Sequence, residues 1–317
     1  MSETKKMYIG VDIGGTTVKG IITDGNGGIL SEGSVATLKG NNGKDLCGCI
    51  IKLVNHLIDA SGSDKSSFAG VGIGCPGLID SKNGTVVFSG NLNIKNYPLA
   101  NSLSDALGTE VKITNDANAA ALGEAKFGAG KKYSDSILIT LGTGVGGGIV
   151  IDGKLFEGGS SAGTEIGHTV IFEGGESCTC GRKGCFEAYA SATALIRQTQ
   201  RAMNDNKNSR MWEKYTPETV TGKTAFDYAE SDAAARVVVD SYIKYLACGI
   251  INLANVFRPQ VVMLGGGVSE QKEKLTKPLQ KILDEELFGG QAYAPVKIIT
   301  ASLGNRAGAF GAAALFM

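Results

Sequence analysis

The sequence lacks an excess of charge of either sign. Lys+Arg and Asp+Glu both number 31, so the formal net charge is zero. Domains that bind nucleic acid normally carry a basic excess, and the balance argues against that class. The N-terminal stretch MSETKKMYIG also lacks an apolar run long enough for a signal peptide or a membrane span. We therefore expect no nucleic-acid partner and no membrane partner.

Histidine is scarce, with two residues, and the seven cysteines are an odd number. Without a secretory signal, reduced thiols in the cytoplasm explain these cysteines better than a disulfide framework. Glycine, by contrast, reaches 46 of 317 residues, about twice its usual frequency. The glycines cluster after apolar strands, which predicts turns that approach a ligand closely. The length and a hydrophobic content of 43% indicate about two packed domains.

One segment, from Glu165 to Glu187, contains one of the two histidines and three of the seven cysteines. The spacing is His168-x9-Cys178-x-Cys180-x4-Cys185. These four ligand types can complete a tetrahedral zinc shell, and four protein ligands leave no open position, so we predict a structural zinc. The alternative is that the cysteines are small buried residues, but a loop rich in Gly and charged residues offers poor burial. The zinc would hold Glu165 and Glu187 against a substrate.

Two stretches of the sequence share one pattern, in which a turn rich in Gly and Thr joins two apolar strands. They cover residues 7–23 and 136–151, and the recurrence predicts a duplicated nucleotide-binding lobe. Strands alternate with helices, including helices at 44–60 and 241–257, so we expect an α/β protein with two lobes and a cleft. Cys47 and Cys49, in the first of these helices, are predicted to be packing residues.

Three glycine-rich turns are candidates for phosphate binding, at residues 14–15, 142–148 and 265–267. None belongs to a Walker loop, because the sequence has no GxxxxGK[ST]. A strand follows the second turn, whereas a dinucleotide fingerprint needs its glycines at the start of a helix. Backbone N–H groups and Thr hydroxyls of the first two turns can instead bind a polyphosphate.

Two aspartates stand at strand ends. Asp12 lies beside the first turn, where a carboxylate needs a cation between itself and phosphate, so we predict that it holds Mg²⁺ through water. The alternative is a capping residue of an Asx-turn. Asp116 follows Asn115 and precedes a helix, where it could be an N-cap. The functional interpretation is a general base that accepts the proton of a hydroxyl attacking a phosphoryl group.

Six motifs together resemble the ROK family of sugar kinases and repressors. They are DIGGTTVKG (12–20), GIGCPG (72–77), NDAN (115–118), LGTGVGGG (141–148), EIGH (165–168) and CTCGRKGCFE (178–187). The resemblance spans essentially the whole chain, and the zinc segment is its most specific part. It implies the actin, hexokinase and Hsp70-like fold with ribonuclease H-like lobes. It also implies transfer of the γ-phosphate of ATP to the 6-hydroxyl of a hexose, with Mg²⁺ and a structural Zn²⁺.

The family's functional positions transfer to this chain motif by motif. Asp116 matches the catalytic base. The sugar contacts match Asn115, Glu165, His168 and Glu187, and His168 is also a zinc ligand. The first phosphate motif matches Asp12, Gly14, Gly15, Thr16 and Lys19, the second matches Gly142, Thr143 and Gly144, and the adenosine-side turn matches Gly265, Gly266 and Gly267.

The resemblance favours a cytoplasmic glucokinase activity in a homodimer or homotetramer. Kinases for N-acetylglucosamine, mannose, allose or fructose remain alternatives, and polyphosphate remains an alternative donor. The lobes are expected at 1–117 with 303–317, and at 118–302 with the zinc loop. Thr164 departs from the commonest pattern, in which Glu directly follows Ala-Gly, so sugar selectivity is less defined than reaction type.

Two other classes of protein share this fold. Repressors of the family carry a helix-turn-helix domain before the first phosphate strand, and the six residues before Met7 are too few to form one. A chaperone that shares the nucleotide-binding fold would not explain the zinc segment. We therefore expect an enzyme.

Overall fold

The computed structural model describes residues 6–317, so residues 1–5 of the N-terminal stretch that lacks a predicted signal peptide lie outside the described range. The strands are β1 (Met7–Ile13), β2 (Thr17–Asp24), β3 (Ile29–Ala36), β4 (Phe68–Cys75), β5 (Leu78–Asp80), β6 (Thr85–Ser89), β7 (Ile94–Tyr97), β8 (Val111–Asn115), β9 (Ser136–Leu141), β10 (Val145–Ile151), β11 (Lys154–Phe156), β12 (Val261–Gly265) and β13 (Lys297–Thr300). The α-helices are α1 (Lys44–Ser61), α2 (Leu99–Leu107), α3 (Asp116–Phe127), α4 (Glu187–Ala190), α5 (Ala192–Asp205), α6 (Thr224–Tyr228), α7 (Ala233–Phe257), α8 (Glu273–Glu286) and α9 (Ala307–Ala313).

The first sheet has the strand order β3-β2-β1-β4-β8. β1 and β2 form an antiparallel hairpin, whereas β1, β4 and β8 run parallel. Residues 70–75 of β4 are all buried, as expected for a central parallel strand that is covered on both faces. Apolar residues of α1, α2 and this sheet form one core cluster. Cys47 and Cys49 of α1 are buried, so the prediction that they are packing residues is confirmed.

The second large sheet repeats this order. Its strands run β11-β10-β9-β12-β13, so in both sheets the third, second, first, fourth and fifth strands along the chain lie side by side. β12 is parallel to β9 and β13, and β10 is antiparallel to β11. The predicted duplication of a strand–turn–strand lobe is therefore confirmed.

A third, small sheet has the order β5-β6-β7. The sequence pattern does not indicate this sheet, because its strands are only three to five residues long. So few residues give no clear alternation of apolar and polar side chains.

Helices α3 and α9 pack against each other through small residues. A side chain on Gly311 could not fit, because a Cβ there would lie 1.5 Å from the carbonyl oxygen of Ala119. Such close approach of two backbones explains why both helices are rich in Ala and Gly. It also holds α3, which begins at Asp116, in a fixed position.

Helix α7 is long and apolar enough to span a membrane by length and composition alone. However, 61% of its most apolar 18-residue stretch is buried within the protein. That burial is the property of a core helix, and its Tyr242 hydroxyl donates a hydrogen bond to the Ala190 carbonyl.

The described chain divides into two compact units. The first contains the described residues up to Asp135, together with Gly148–Thr164 and Ser302–Met317, and the second contains Ser136–Gly147 and Glu165–Ala301. The first unit includes α3, which the boundary predicted after residue 117 assigns to the other lobe. That boundary stays a prediction.

Candidate active site and metal centre

Asp116 is the first residue of α3, and Asn115 caps this helix. The Asn115 Oδ1 accepts hydrogen bonds from the backbone N–H groups of Ala117 (2.9 Å) and Asn118 (3.3 Å), which is the usual pattern of an N-cap. The Asn115 Nδ2 donates to the Gly77 carbonyl oxygen at 3.1 Å, and the Asn115 side chain also forms a hydrogen bond with the Asp116 carboxylate that lowers the pKa of Asp116. Since Asn115 performs the capping, the alternative that Asp116 is the N-cap is not supported. Burial raises the pKa of Asp116 above its ordinary value, against an opposing hydrogen bond from the Ala117 N–H.

Asp12 lies close to Asp116 in the first unit, on the other side of Gly74. A Cβ on Gly74 would lie 3.7 Å from the Asp116 Cα and 3.7 Å from the Asp12 Oδ1. Burial is the largest cause that raises the pKa of Asp12, and the negative charge of Asp116 adds to it. Together they raise this pKa to about 6, against a smaller opposing effect of the Lys19 charge. Within residues 6–317 no hydrogen bond to the Asp12 carboxylate is recorded, so the Asx-turn alternative has no support. Two adjacent, desolvated carboxylates form an arrangement that a cation would stabilise.

The helix α9 lies directly against Asp12. A Cβ on Gly308 would stand 2.6–2.8 Å from the carboxylate atoms of Asp12, so any larger residue would displace this carboxylate. Gly308 belongs to no motif singled out in the sequence, and its contribution is visible only from the packing of α9.

The first glycine-rich turn, which contains Gly14, Gly15 and Thr16, joins β1 to β2. It is closed by a hydrogen bond from the Gly14 N–H to the Thr17 carbonyl oxygen (2.9 Å). The Thr37 hydroxyl donates to the Gly14 carbonyl oxygen (2.8 Å) and holds the turn from the side of β3. Lys19 is the register partner of Asp12 in the hairpin.

Replacing Asp12 with Asn should stabilise the metal-free protein while weakening its dependence on Mg·ATP. The pKa of Asp12 is 3.8 in an unfolded chain and about 6 in the folded protein, so ionisation of this carboxyl disfavours the folded state. The loss of stability is absent below about pH 4, grows as the pH rises to about 6 and is constant above that. We expect Asp12→Asn to increase the free energy of unfolding by roughly 1–3 kcal/mol at pH 7.5, and by less than half of that at pH 4.5. Urea unfolding with a chelator at both pH values measures the change.

The exposed Asp105 of α2 provides a matched control, because Asp105→Asn should change stability little at either pH. Unchanged Mg²⁺ titrations of activity in the Asp12 variant would contradict the metal assignment, and a loss of stability at pH 7.5 would contradict the electrostatic one.

The second glycine-rich turn, Gly142 to Gly144, is connected to Glu187. The Glu187 Oε2 accepts a hydrogen bond from the Val145 N–H (3.0 Å), and its Oε1 accepts one from the Thr179 hydroxyl (3.1 Å). Carbonyl oxygens of the turn are held by the start of α5, where the Thr193 hydroxyl donates to the Thr143 carbonyl (2.8 Å). Glu187 therefore connects this turn to the Cys-rich loop within the second unit.

The third turn, Gly265 to Gly267, follows β12 and packs on the end of β9. Gly266 has φ 82°, and a Cβ there would lie 2.6–2.7 Å from backbone atoms of Leu141. Only glycine combines that dihedral angle with so close an approach. The Ser269 hydroxyl donates to the Gly266 carbonyl oxygen (2.7 Å) and completes the turn.

The four predicted zinc ligands come together in the second unit. The ligand atoms of His168, Cys178, Cys180 and Cys185 all lie within 4.8 Å of one another. The His168 Nδ1 is 3.7 Å from the Cys178 Sγ, and the Cys180 and Cys185 sulfurs are 3.6 Å apart. Two sulfurs bound to one tetrahedral zinc at about 2.3 Å would be roughly 3.8 Å apart. The donor set and its spacing therefore fit zinc.

Backbone hydrogen bonds shape the loop around these ligands. The Cys178 N–H donates to the Arg182 carbonyl oxygen (2.9 Å), and the Gly184 N–H donates to the Glu176 carbonyl oxygen (2.8 Å). Cys185 is completely buried, whereas Cys180 is exposed. The premise that this loop buries its thiols poorly is therefore wrong for Cys185, whose backbone pairs with Val170.

Two hydrogen-bonded groups beside the Asn115–Asp116 segment were not predicted from the sequence. In the first, Glu157 accepts hydrogen bonds from the hydroxyls of Thr114 and Ser81. In the second, the Thr164 hydroxyl bonds to the Asn118 amide. The sequence contained one signal, for the second group only, which was the departure from the family pattern at Thr164.

Comparison with known proteins places this architecture in a class. A solved structure, described as a ROK family glucokinase from Streptomyces griseus in complex with glucose and AMPPNP, matches with a TM-score of 0.77 and 36% identity over 98% of both chains. The protein is thus an α/β protein of the actin and hexokinase-like fold. The ROK family model matches residues 8–317, and the chain belongs to the ROK family.

Relatives with different functions match over most of the chain. A glucokinase from Halalkalibacterium halodurans is 38% identical over 315 residues, which cover 96% of this chain and 93% of the relative. A xylose repressor from Caldicellulosiruptor bescii is 30% identical over 308 residues, which cover 97% of this chain and 77% of the repressor. Family membership alone therefore does not separate kinase from regulator.

Proposed function

We propose that this protein is a hexose kinase that transfers the γ-phosphate of ATP to the 6-hydroxyl of glucose, a glucokinase activity. The observation that carries the proposal is Asp116, a buried carboxylate of raised pKa at the start of a helix that a different residue, Asn115, caps. The 38% identity to a glucokinase over nearly the full length supports the same activity.

In the proposed reaction, Asp116 accepts the proton of the 6-hydroxyl as that oxygen attacks the γ-phosphorus in line. A carboxylate of raised pKa is a stronger base than an exposed one, so its environment favours this step. Backbone N–H groups of the turns at 14–16 and 142–144 bind the phosphates, and the turn at 265–267 binds the adenosine side. Asp12 would hold Mg²⁺ through water, and the ion would neutralise part of the negative charge of the phosphates.

We propose that the sugar is contacted by Asn115, Glu165, His168 and Glu187. The side-chain amide of Asn115, which already bonds the Gly77 carbonyl oxygen and the Asp116 carboxylate, is a planar donor and acceptor of the kind that binds sugar hydroxyls. We also propose that His168 and the three cysteines of the cluster hold a structural Zn²⁺. The Glu187 Oε1 lies 3.7 Å from the Cys178 Sγ, so a zinc-ordered loop would hold Glu187 in place for the sugar.

A cytoplasmic homodimer or homotetramer without a nucleic-acid or membrane partner is part of the same proposal. Zero net charge supports the absence of a nucleic-acid partner, and the free cysteines support the cytoplasm. The candidate from another class is a sugar-responsive regulator, which the likeness to the xylose repressor favours.

Release of ADP on addition of glucose distinguishes kinase from regulator. A coupled assay with Mg·ATP should give turnover that saturates with glucose, and a panel of mannose, N-acetylglucosamine, allose and fructose should give lower kcat/KM. Replacing ATP with polyphosphate tests the donor. Binding of glucose without any ADP release would favour the regulator and contradict the kinase.

A further inference from the structure

The loop that connects β11 to Glu165 is a compact, closed structure. It comprises residues 157–164, and the Gly163 N–H donates to the Glu157 carbonyl oxygen (2.9 Å) across its base. Gly158 and Gly163 touch each other, because a Cβ on Gly158 would lie 3.1 Å from the Gly163 Cα. The two ends of the 157–164 loop are therefore held side by side.

The first end of the loop is anchored through Glu157. Its Oε1 accepts a hydrogen bond from the Thr114 hydroxyl (2.5 Å), and its Oε2 accepts one from the Ser81 hydroxyl (2.8 Å). Thr114 is completely buried in β8, and it stands two residues before Asp116. A carboxylate held by two hydroxyl donors forms a strong and directional connection.

The second end is anchored through Thr164. Its hydroxyl lies 3.0 Å from the Asn118 Oδ1 and 2.6 Å from the Gly163 carbonyl oxygen. A hydroxyl can donate one hydrogen bond and accept another, and an Asn amide can present oxygen or nitrogen, so both contacts can be satisfied together. Asn118 is only 3% exposed, and it stands two residues after Asp116 in α3.

Thr164 makes this contact with a strained backbone. Its φ is 66°, a region that glycine adopts freely and that a β-branched residue adopts rarely. Such strain persists only where the surrounding contacts impose it, and it is concentrated at functional sites. A residue that needed only to turn the chain here would be glycine or asparagine, so the Thr hydroxyl is the feature that explains this choice.

We propose that Glu157 and Thr164 are positioning residues that set the affinity for the sugar substrate. Their hydrogen bonds attach the 157–164 loop to the chain on both sides of Asn115 and Asp116, and the loop leads directly into Glu165. The loop thereby fixes the backbone on which the sugar-binding side chains stand. This inference rests on the proposed kinase function, and it assigns a contribution to sugar affinity to the loop that precedes the EIGH motif.

Three substitutions at Thr164 distinguish the effect of its hydroxyl from the effects of its side-chain shape and of its backbone strain. Thr164→Val keeps the shape without the hydroxyl, and we expect KM for glucose to rise about three- to ten-fold, the effect of one lost hydrogen bond. Thr164→Ser keeps the hydroxyl and should stay within about two-fold of the parent. KM for ATP should change less than about two-fold in both variants, because the hydrogen bond that is lost joins Thr164 to Asn118 and involves none of the three glycine-rich turns.

Thr164→Gly distinguishes positioning from general structural support. Glycine relieves the strain at φ 66°, so this variant should unfold at the same or a higher temperature than the parent. It nevertheless lacks the hydroxyl, so its KM for glucose should rise as in the Val variant. Higher stability with weaker sugar binding is a combination that a merely structural residue would not produce.

Lys82→Ala is the matched control for the loop. The exposed Lys82 donates to the Gly159 carbonyl oxygen (3.1 Å), so it contacts the same loop away from Asp116. We expect its sugar kinetics to match the parent. Glu157→Gln should resemble Thr164→Val, because an amide cannot accept from both hydroxyls through two oxygens.

The kinetics should be combined with calorimetric titration of glucose into each variant. An active parent with unchanged glucose affinity in the Val and Gly variants would overturn this inference and leave the kinase function intact. Equal increases in KM for glucose and ATP would overturn it too. A parent that binds glucose without turnover would contradict the proposed function, while weaker binding in the variants would still support the role of the loop.

Discussion

Asp116→Asn will lower kcat for glucose phosphorylation by about 10²–10⁴-fold, the usual contribution of a general base. Asparagine has the same shape and cannot accept the proton. The protein should stay folded, because Asn115 caps α3 independently of Asp116. Glucose affinity should change by less than about three-fold. Rapid kinetics and calorimetry on the same preparation measure both quantities.

The pH dependence of the parent tests the same assignment. Asp116 must be ionised to act as a base, and burial raises its pKa above the ordinary value of 3.8. Activity should therefore fall as the pH decreases, with a midpoint above the ordinary pKa of an aspartate, and the part of this acidic limb that Asp116 causes should be absent from the residual activity of Asp116→Asn. Turnover of the variant within a few-fold of the parent would show that another group accepts the proton.

Removal of zinc is the second large expected effect. The purified protein should contain about one zinc per chain, and a chelator should lower both the unfolding temperature and the affinity for glucose. The physical reason is that the zinc ligand Cys178 and its neighbour Thr179 both contact the carboxylate of Glu187, the proposed sugar contact. Loss of the metal would therefore release Glu187 as well. Cys178→Ser should lower zinc affinity by at least about ten-fold.

Cys248→Ser is the control for this experiment, because Cys248 lies on α7, outside the cluster. It should keep its zinc and its activity. Protein that contains no zinc when freshly purified, or that stays fully active after metal removal, would contradict the structural role.

The parts of the fold that follow from local sequence were predictable. The β1–β2 hairpin, α1 and the transition from β8 to α3 were all expected within one to two residues of their observed bounds. The strand–turn–strand repeat was enough to predict two related sheets. The metal cluster was predictable too, because three of its ligands lie within eight residues of one another.

Features that depend on contacts distant in sequence were not predictable. Gly308 approaches Asp12 from almost 300 residues away, and Glu157 reaches Thr114 across 43 residues. Neither pair has a fixed spacing that a motif could record. The capping by Asn115 is local, but Asn and Asp are both good caps, so only the observed hydrogen bonds could assign the cap to Asn115.

Glucose-dependent phosphoryl transfer to the 6-hydroxyl tests the central claim most directly. ³¹P NMR should follow Mg·ATP with glucose, and in parallel with 6-deoxyglucose, for the parent and for Asp116→Asn. With glucose, the parent should form one hexose 6-phosphate for each ADP released, and Asp116→Asn should form almost none. With 6-deoxyglucose, neither protein should form a sugar phosphate. Equal release of ADP by the parent with glucose and with 6-deoxyglucose, or an Asp116→Asn variant as active as the parent, would contradict the proposed kinase mechanism.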